Sequence, residues 1–252
     1  MNRAKTGTLY GIGVGPGDPE LLTLKAHRIL LACPVVAYPA PDDGMSFARA
    51  IIAAHLRPEQ REIAIIIPMR SERFPAKAIY DKAASQVKAE LDGGNDVAVL
   101  CEGDPFFYGS FMYLFERLVD RYKVEIVPGV SSLTASACAL GRPLAARNDI
   151  LTVIPAPVDD AAIASALNRS DGVAILKIGR HLGRVRNLVS AAGLMAAAGY
   201  LERIGLANER VLRLADVEGD IAPYFSVILI YKGAEGWIAN RPVRARLAEH
   251  SN

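Results

Sequence analysis

Short apolar runs alternate with helix-period segments almost to the end of the chain, and that alternation dictates an α/β protein whose strands lie under helices. In the first half the spacing predicts strands over 8–14, 35–38, 62–68, 96–101 and 124–127, with 96–101 central. Helices are expected over 18–30, 46–55, 76–91 and 110–122, followed by an apolar helix that reaches Ala139. Asp18-Pro19-Glu20 carries the start signals of the first helix: a capping oxygen, a proline fit for the first turn, and an acid at the positive end of the dipole. The second half predicts strands over 150–154, 172–177, 199–204 and 226–231, and helices over 160–168 and 181–192. Residues 1–124 and 125–235 therefore read as two α/β domains, and 236–252, ending RPVRARLAEHSN, as a solvated basic tail.

A chain of 252 residues buries roughly 70–75% of its unfolded surface on folding, so stability requires neither disulfides nor a metal. A net charge of +2 is too small for a protein that must neutralise many backbone phosphates, and 7% aromatic content argues against broad base-stacking platforms. Cys33, Cys101 and Cys138 form no CxxC pair, a sparse, odd count that suits a reducing cytoplasm. His27, His55, His181 and His250 show no zinc spacing, so no metal site is expected. MNRAKTGTLYGIG holds charge but no apolar leader, and the longest apolar stretches fall far short of the ~20 residues that span a bilayer, so neither export nor membrane insertion is expected.

GIGVGPGD places glycines at 11, 13, 15 and 17 between a strand and a helix, where the backbone can turn sharply and lie close to a ligand. Pro16 after Gly15 spoils a clean GxGxxG. The second strand ends VVAYPAP without an acid for a ribose, and the missing Gly-Lys-Ser/Thr excludes a P-loop. Taken alone, this turn is either a ligand loop or simply a turn. EGDPFFYG and VPGVSS end two further strands, and open α/β sheets bind ligands beyond the carboxyl ends of their strands. Asp104 reads either as an acceptor for an amino or hydroxyl group or as the cap of a helix starting near Pro105.

In this order and at these spacings, the turns resemble those of the tetrapyrrole methylase family, from Thr8 to about Gly233. The match runs through Gly13-Val-Gly-Pro-Gly-Asp-Pro-Glu-Leu-Leu-Thr23 and Gly103-Asp104-Pro105. The resemblance implies a two-domain class III methyltransferase fold, S-adenosylmethionine bent in the interdomain cleft, a tetrapyrrole substrate and a homodimer. Carried over by motif, Pro16 lies at the mouth of the cleft. Glu102, Gly103, Asp104, Phe107, Ser131 and Ser132 line the cofactor, and Ile178 in LKIGR and Ile204 in ERIG touch it through their backbones.

Within the family, LYGIGVGPGDPELLTLKA, IIPMR, VLCEGDPFFYGSFMYL and LKIGRH look most like the branch that methylates precorrin-2 at C-20. A cobalt-bound precorrin-2 or another corrin carbon stays open as the target, as does, in a different class, a non-catalytic adenosyl-ligand-binding protein. A substrate with many carboxylates calls for cations, for which Arg70, Arg73, Lys77, Arg147, Arg180, His181 and Arg184 are the candidates. Loss of the meso proton calls for a base. Glu102, Asp104 and Tyr108 lie nearest, and the sequence does not choose among them.

Overall fold

The computed structural model describes residues 6–68, 76–233 and 246–247, and the chain divides into two compact units, Met1–Ser131 and Ser132–Asn252. The first unit is built on β1 (Thr8–Gly13), β2 (Val35–Pro41), β3 (Arg61–Ile67), β4 (Val97–Cys101) and β5 (Lys123–Val127). They form one parallel sheet in the order β3-β2-β4-β1-β5, with β4 central as its unbroken apolar run demands.

Alternation along β4 feeds two separate cores. Ala98 and Leu100 pack with α1 (Leu24–Ala32) and α2 (Phe47–Ile51) on one face. Val97, Val99 and Cys101 pack with α3 (Ala76–Asp92) and α4 (Phe111–Leu118) on the other. The chain therefore leaves β1 toward one face and leaves the adjacent β4 toward the opposite face. Such a divergence opens a crevice beyond the carboxyl ends of the two strands.

Three local departures have clear causes. The helix expected over 18–30 is two pieces, because Thr23 supplies a second cap. Asp18 caps only the 3-10 turn Pro19–Leu21, Leu22 is extended, and the Thr23 hydroxyl accepts the Ala26 N–H at 3.1 Å to start α1. In the segment expected over 46–55, Ser46 caps α2, which gives way to a 3-10 turn over Ala53–His55. Strand β2 runs on through Pro39 and Pro41. Its pairing with β4 ends at Ala37, so beyond that point only the β3 ladder has to be satisfied and proline is tolerated.

The second unit opens with α5 (Ser132–Leu140), then β6 (Leu151–Pro155), α6 (Asp160–Arg169), β7 (Gly172–Leu176) and α7 (Leu182–Ala191). It closes with β8 (Ala198–Glu202), β9 (Arg210–Arg213), β10 (Ser226–Tyr231) and β11 (Arg246–Leu247). The sheet order is β11-β9-β8-β10-β7-β6, antiparallel except between β6 and β7. Helix α5 packs on one face and α6 and α7 on the other. Strand β9 escapes sequence reading because its four residues, RVLR, begin and end in arginine. Part of the expected tail is sheet: Arg246 pairs with Val211, while the rest of 236–252 lies outside the described residues.

Candidate functional site

Three glycine-bearing strand exits of the first unit meet at backbone distance. Past β1, Val14 N–H donates to the Cys101 carbonyl at 2.9 Å, and Gly103 N–H donates to the Gly15 carbonyl at 2.8 Å. Gly15 (φ +82°) and Gly103 (φ +65°) both take the left-handed conformation that glycine favours. A methyl group on Gly129, beyond β5, would sit 2.0 Å from the Gly103 carbonyl oxygen and 2.7 Å from Gly13 Cα. GIGVGPGD thus braces the GDP turn directly, with Pro16 and Gly17 buried beneath it.

Asp104 fastens the same cradle. One carboxylate oxygen accepts the Gly129 N–H at 3.1 Å and the other the Phe106 N–H at 2.9 Å. It caps no helix, since α4 begins only at Phe111 with Ser110 before it, so the helix-capping reading is corrected to a staple between two strand exits. Each oxygen keeps a further lone pair for a ligand.

Glu102, two residues earlier, is partly buried, with the backbone N–H of Ala48 in α2 near its carboxyl. Burial pushes that carboxyl above the usual carboxylate range, outweighing the backbone hydrogen bonds that favour its charge. Phe106 packs edge-on against Phe115, with centroids 5.2 Å apart. Phe107 and Tyr108 are exposed beside each other, and Tyr108 holds a left-handed φ of +57°, an unusual strain for an aromatic residue. Ser131 ends the first unit and Ser132 opens α5 of the second; both are partly buried.

In the second unit, β7 and β8 run parallel on either side of β10. Each leaves the sheet in the same three-residue pattern, Lys177-Ile178-Gly179 and Arg203-Ile204-Gly205. The basic residues have φ of 55° and 54°, the glycines φ of 40° and 82°, and both isoleucines are buried. Motif matching finds Ile178 and Ile204 singly and misses this pairing, whose signal is visible as a repeated basic-Ile-Gly after a strand. Glu202, buried at the end of β8, secures one exit by accepting from Tyr200 Oη at 2.6 Å and from Arg203 and Arg210 at 3.2 and 3.1 Å.

The expected substrate cations are scattered. Arg70 and Arg73 lie outside the described residues. Lys77, in the first unit, pairs with Asp81 at 3.0 Å. Arg147, with φ of 47°, sits between α5 and β6. Arg180 and His181 come together in the 3-10 turn after β7, where burial and then the charges of Arg184 and Arg180 lower the His181 pKa. The Arg184 guanidinium is committed within its own unit to Asp160 and to the carbonyls of Ala156 and Val158. Among the described residues no three His, Cys, Asp or Glu side chains converge on a metal-sized site, and no helix is long and apolar enough to cross a membrane.

Against known proteins, residues 8–218 match the family model of Tetrapyrrole (Corrin/Porphyrin) Methylases. The cobalamin biosynthesis protein CobIJ of Mycobacterium tuberculosis is 40% identical over 235 residues, which are 90% of this chain and 46% of that protein, so the chain spans about half of that relative's length. A precorrin-2 C(20)-methyltransferase from Sinorhizobium sp is 36% identical over 245 residues, 94% of this chain and 98% of that one. A cobalt-precorrin-2 C(20)-methyltransferase from Salmonella typhimurium is 33% identical over 230 residues, 90% and 97% of the two chains. Uroporphyrin-III C-methyl transferase from Thermus thermophilus, solved in complex with S-adenyl homocysteine, shares the fold, with a TM-score of 0.66 at 24% identity over 93% of this chain and 94% of that one. With the match running from β1 past β9 and so through both sheets, the chain belongs to the tetrapyrrole (corrin/porphyrin) methylases.

Proposed function

We propose that this protein transfers a methyl group from S-adenosylmethionine to C-20 of precorrin-2, giving precorrin-3A and S-adenosylhomocysteine in cobalamin biosynthesis. The observation that carries the reading is the nearly end-to-end likeness to the Sinorhizobium precorrin-2 C(20)-methyltransferase. The cradle fits an adenosyl ligand. Its glycines let three strand exits meet at backbone contact, and Asp104 offers acceptors at the carboxyl edge of a parallel sheet.

When bound, the sulfonium supplies an electrophilic methyl group to an electron-rich meso carbon. The task left to the chain is alignment for an in-line displacement, which can contribute up to about 7–11 kcal/mol. Pro16, Glu102, Gly103, Asp104, Phe107, Ser131, Ser132, Ile178 and Ile204 are assigned to the methyl donor. Arg70, Arg73, Lys77, Arg147, Arg180 and His181 are assigned to the substrate carboxylates, with Arg184 held by Asp160 and the carbonyls of Ala156 and Val158 just after Arg180 and His181. A homodimer in the cytoplasm completes the proposal.

The deciding assay incubates the protein with S-adenosylmethionine carrying a labelled methyl group and with precorrin-2, and reads product mass and methyl position by NMR. One added methyl at C-20 is expected, and a product without it overturns the reading. Cobalt-precorrin-2, the substrate in the name of the Salmonella relative, runs in parallel as the second reading.

A further inference from the structure

We infer that the twin exits of β7 and β8 are the seat of the substrate's carboxylates. Lys177 and Arg203, on either side of the exposed Tyr224–Phe225 pair, each hold one carboxylate of the tetrapyrrole, and the two rings lie against its pyrroles. The inference names what the second unit grips and rests on the methyl-transfer reading above for the class of substrate.

The backbone supplies the first reason. Lys177 (φ 55°) and Arg203 (φ 54°) stand in the left-handed region, where an L side chain costs free energy that glycine would not. Each is followed by a buried isoleucine and by a glycine that itself takes positive φ. A turn built only to end a strand is served better by glycine or asparagine at the first of these positions. Strain kept at both exits, and both times under a long cation, marks the side chain as the part in use.

Placement supplies the second. Strand β10 lies between β7 and β8, and neighbouring strands are ~4.8 Å apart, so the two exits stand about 10 Å from each other. The register keeps them level. Ser226 pairs with Glu202, and the pairing of Ile228 with Ile175, carried two residues on, sets Ser226 opposite Lys177 as well. The loop that enters β10 is tied to both exits: its Ala222 N–H donates to the Gly179 carbonyl and its Phe225 carbonyl accepts the Arg203 N–H, both at 2.9 Å. It carries Tyr224 and Phe225 to the surface, 65% and 37% exposed, with ring centroids 4.9 Å apart. The order across this end of the sheet is cation, aromatic pair, cation.

Lys177 is exposed, as is Arg180 three residues later at the same exit. Arg203 gives one nitrogen to buried Glu202 at 3.2 Å, and Arg210 shares that carboxylate at 3.1 Å. The Arg203 guanidinium is thereby fixed in place with further N–H donors to offer. A pyrrole ring fringed by carboxylates matches the seat in both respects: the aromatic pair covers its apolar face, and the cations supply charge-assisted hydrogen bonds.

The test uses the whole protein and two stable probes read by fluorescence without turnover. Uroporphyrin carries acetate and propionate arms; in coproporphyrin methyl groups replace the acetates. The wild type is expected to bind uroporphyrin more tightly. Lys177→Asn keeps a residue that tolerates the left-handed backbone but removes the charge. It should weaken uroporphyrin binding about tenfold and raise KM for precorrin-2 by a similar factor, with kcat changed far less and Tm equal or higher. Lys177→Arg should bind close to wild type. Arg203→Gln keeps an amide donor toward Glu202 and should lose about as much affinity as Lys177→Asn, whereas Tyr224→Ala should weaken both porphyrins alike.

A purely structural lysine would lose Tm rather than affinity. Uroporphyrin binding unchanged in Lys177→Asn and Arg203→Gln, or an equal loss for S-adenosylmethionine by calorimetry, overturns the inference. In either outcome a wild type that methylates C-20 leaves the parent reading standing. A wild type that fails at C-20 while the variants show these losses overturns the parent reading and keeps the seat.

Discussion

Asp104 accepts hydrogen bonds from the Phe106 N–H, two residues on, and from the Gly129 N–H, 25 residues away. Asp104→Ala leaves both donors without this partner and should lower stability by about 1–3 kcal/mol. It should also weaken S-adenosylmethionine binding before it affects tetrapyrrole binding; urea melts and calorimetry read the two effects. Arg180 is exposed and makes no ion pair among the described residues. For Arg180→Ala a stability change within about 0.5 kcal/mol is expected, with a raised KM for the tetrapyrrole and unchanged donor affinity. Equal losses for both ligands would argue against its assignment. Motif order singled out Asp104. Its role as a staple was hidden, because the partner is a backbone amide just past β5, a strand that joins β1 only through the fold.

At the scale of elements, the site is a set of strand exits held at backbone contact. Gly129→Ala adds one methyl group, yet that carbon would lie 2.0 Å from the Gly103 carbonyl oxygen and 2.7 Å from Gly13 Cα. Forced apart, the three exits should lose about 1–3 kcal/mol of stability together with most donor binding, read by thermal melts with and without S-adenosylmethionine. Strands with a strong apolar signal, such as β4 and β10, were legible to within about a residue. The break in the first helix was not, because a leucine-rich run masks Thr23, whose hydroxyl stops one helix and starts the next. The twin exits after β7 and β8 were half legible: the repeated basic-Ile-Gly is plain in the sequence, but only the sheet shows that the two strands flank β10.

Across the whole molecule, charge sets the response to acid. Hydrogen bonds from Arg49, Arg117, Tyr122, Lys25 and Arg213 hold the carboxyls of Glu62, Asp81, Asp92, Glu125 and Asp216, respectively, below their usual values. Stability from such groups is fully present above the ordinary carboxylate pKa of about 4 and is lost as pH falls through the lowered values. Tm should therefore hold from pH 7 to 5 and fall below about pH 4. Most of these pairs are exposed, so added salt should flatten the drop.

The order β3-β2-β4-β1-β5 also governs how the chain can be made. Strand β1 pairs only with β4 and β5, whose partners for Leu9 are Val97 and Val124. While the nascent chain leaves the ribosome, β1 has no strand to join until β4 has emerged. Until then its edge and the apolar run TLYGIG are open to other chains. The strand that leads into the glycine cradle is thus the first of its sheet to be made and among the last to be sheltered. Refolding yield should depend steeply on protein concentration for the same reason.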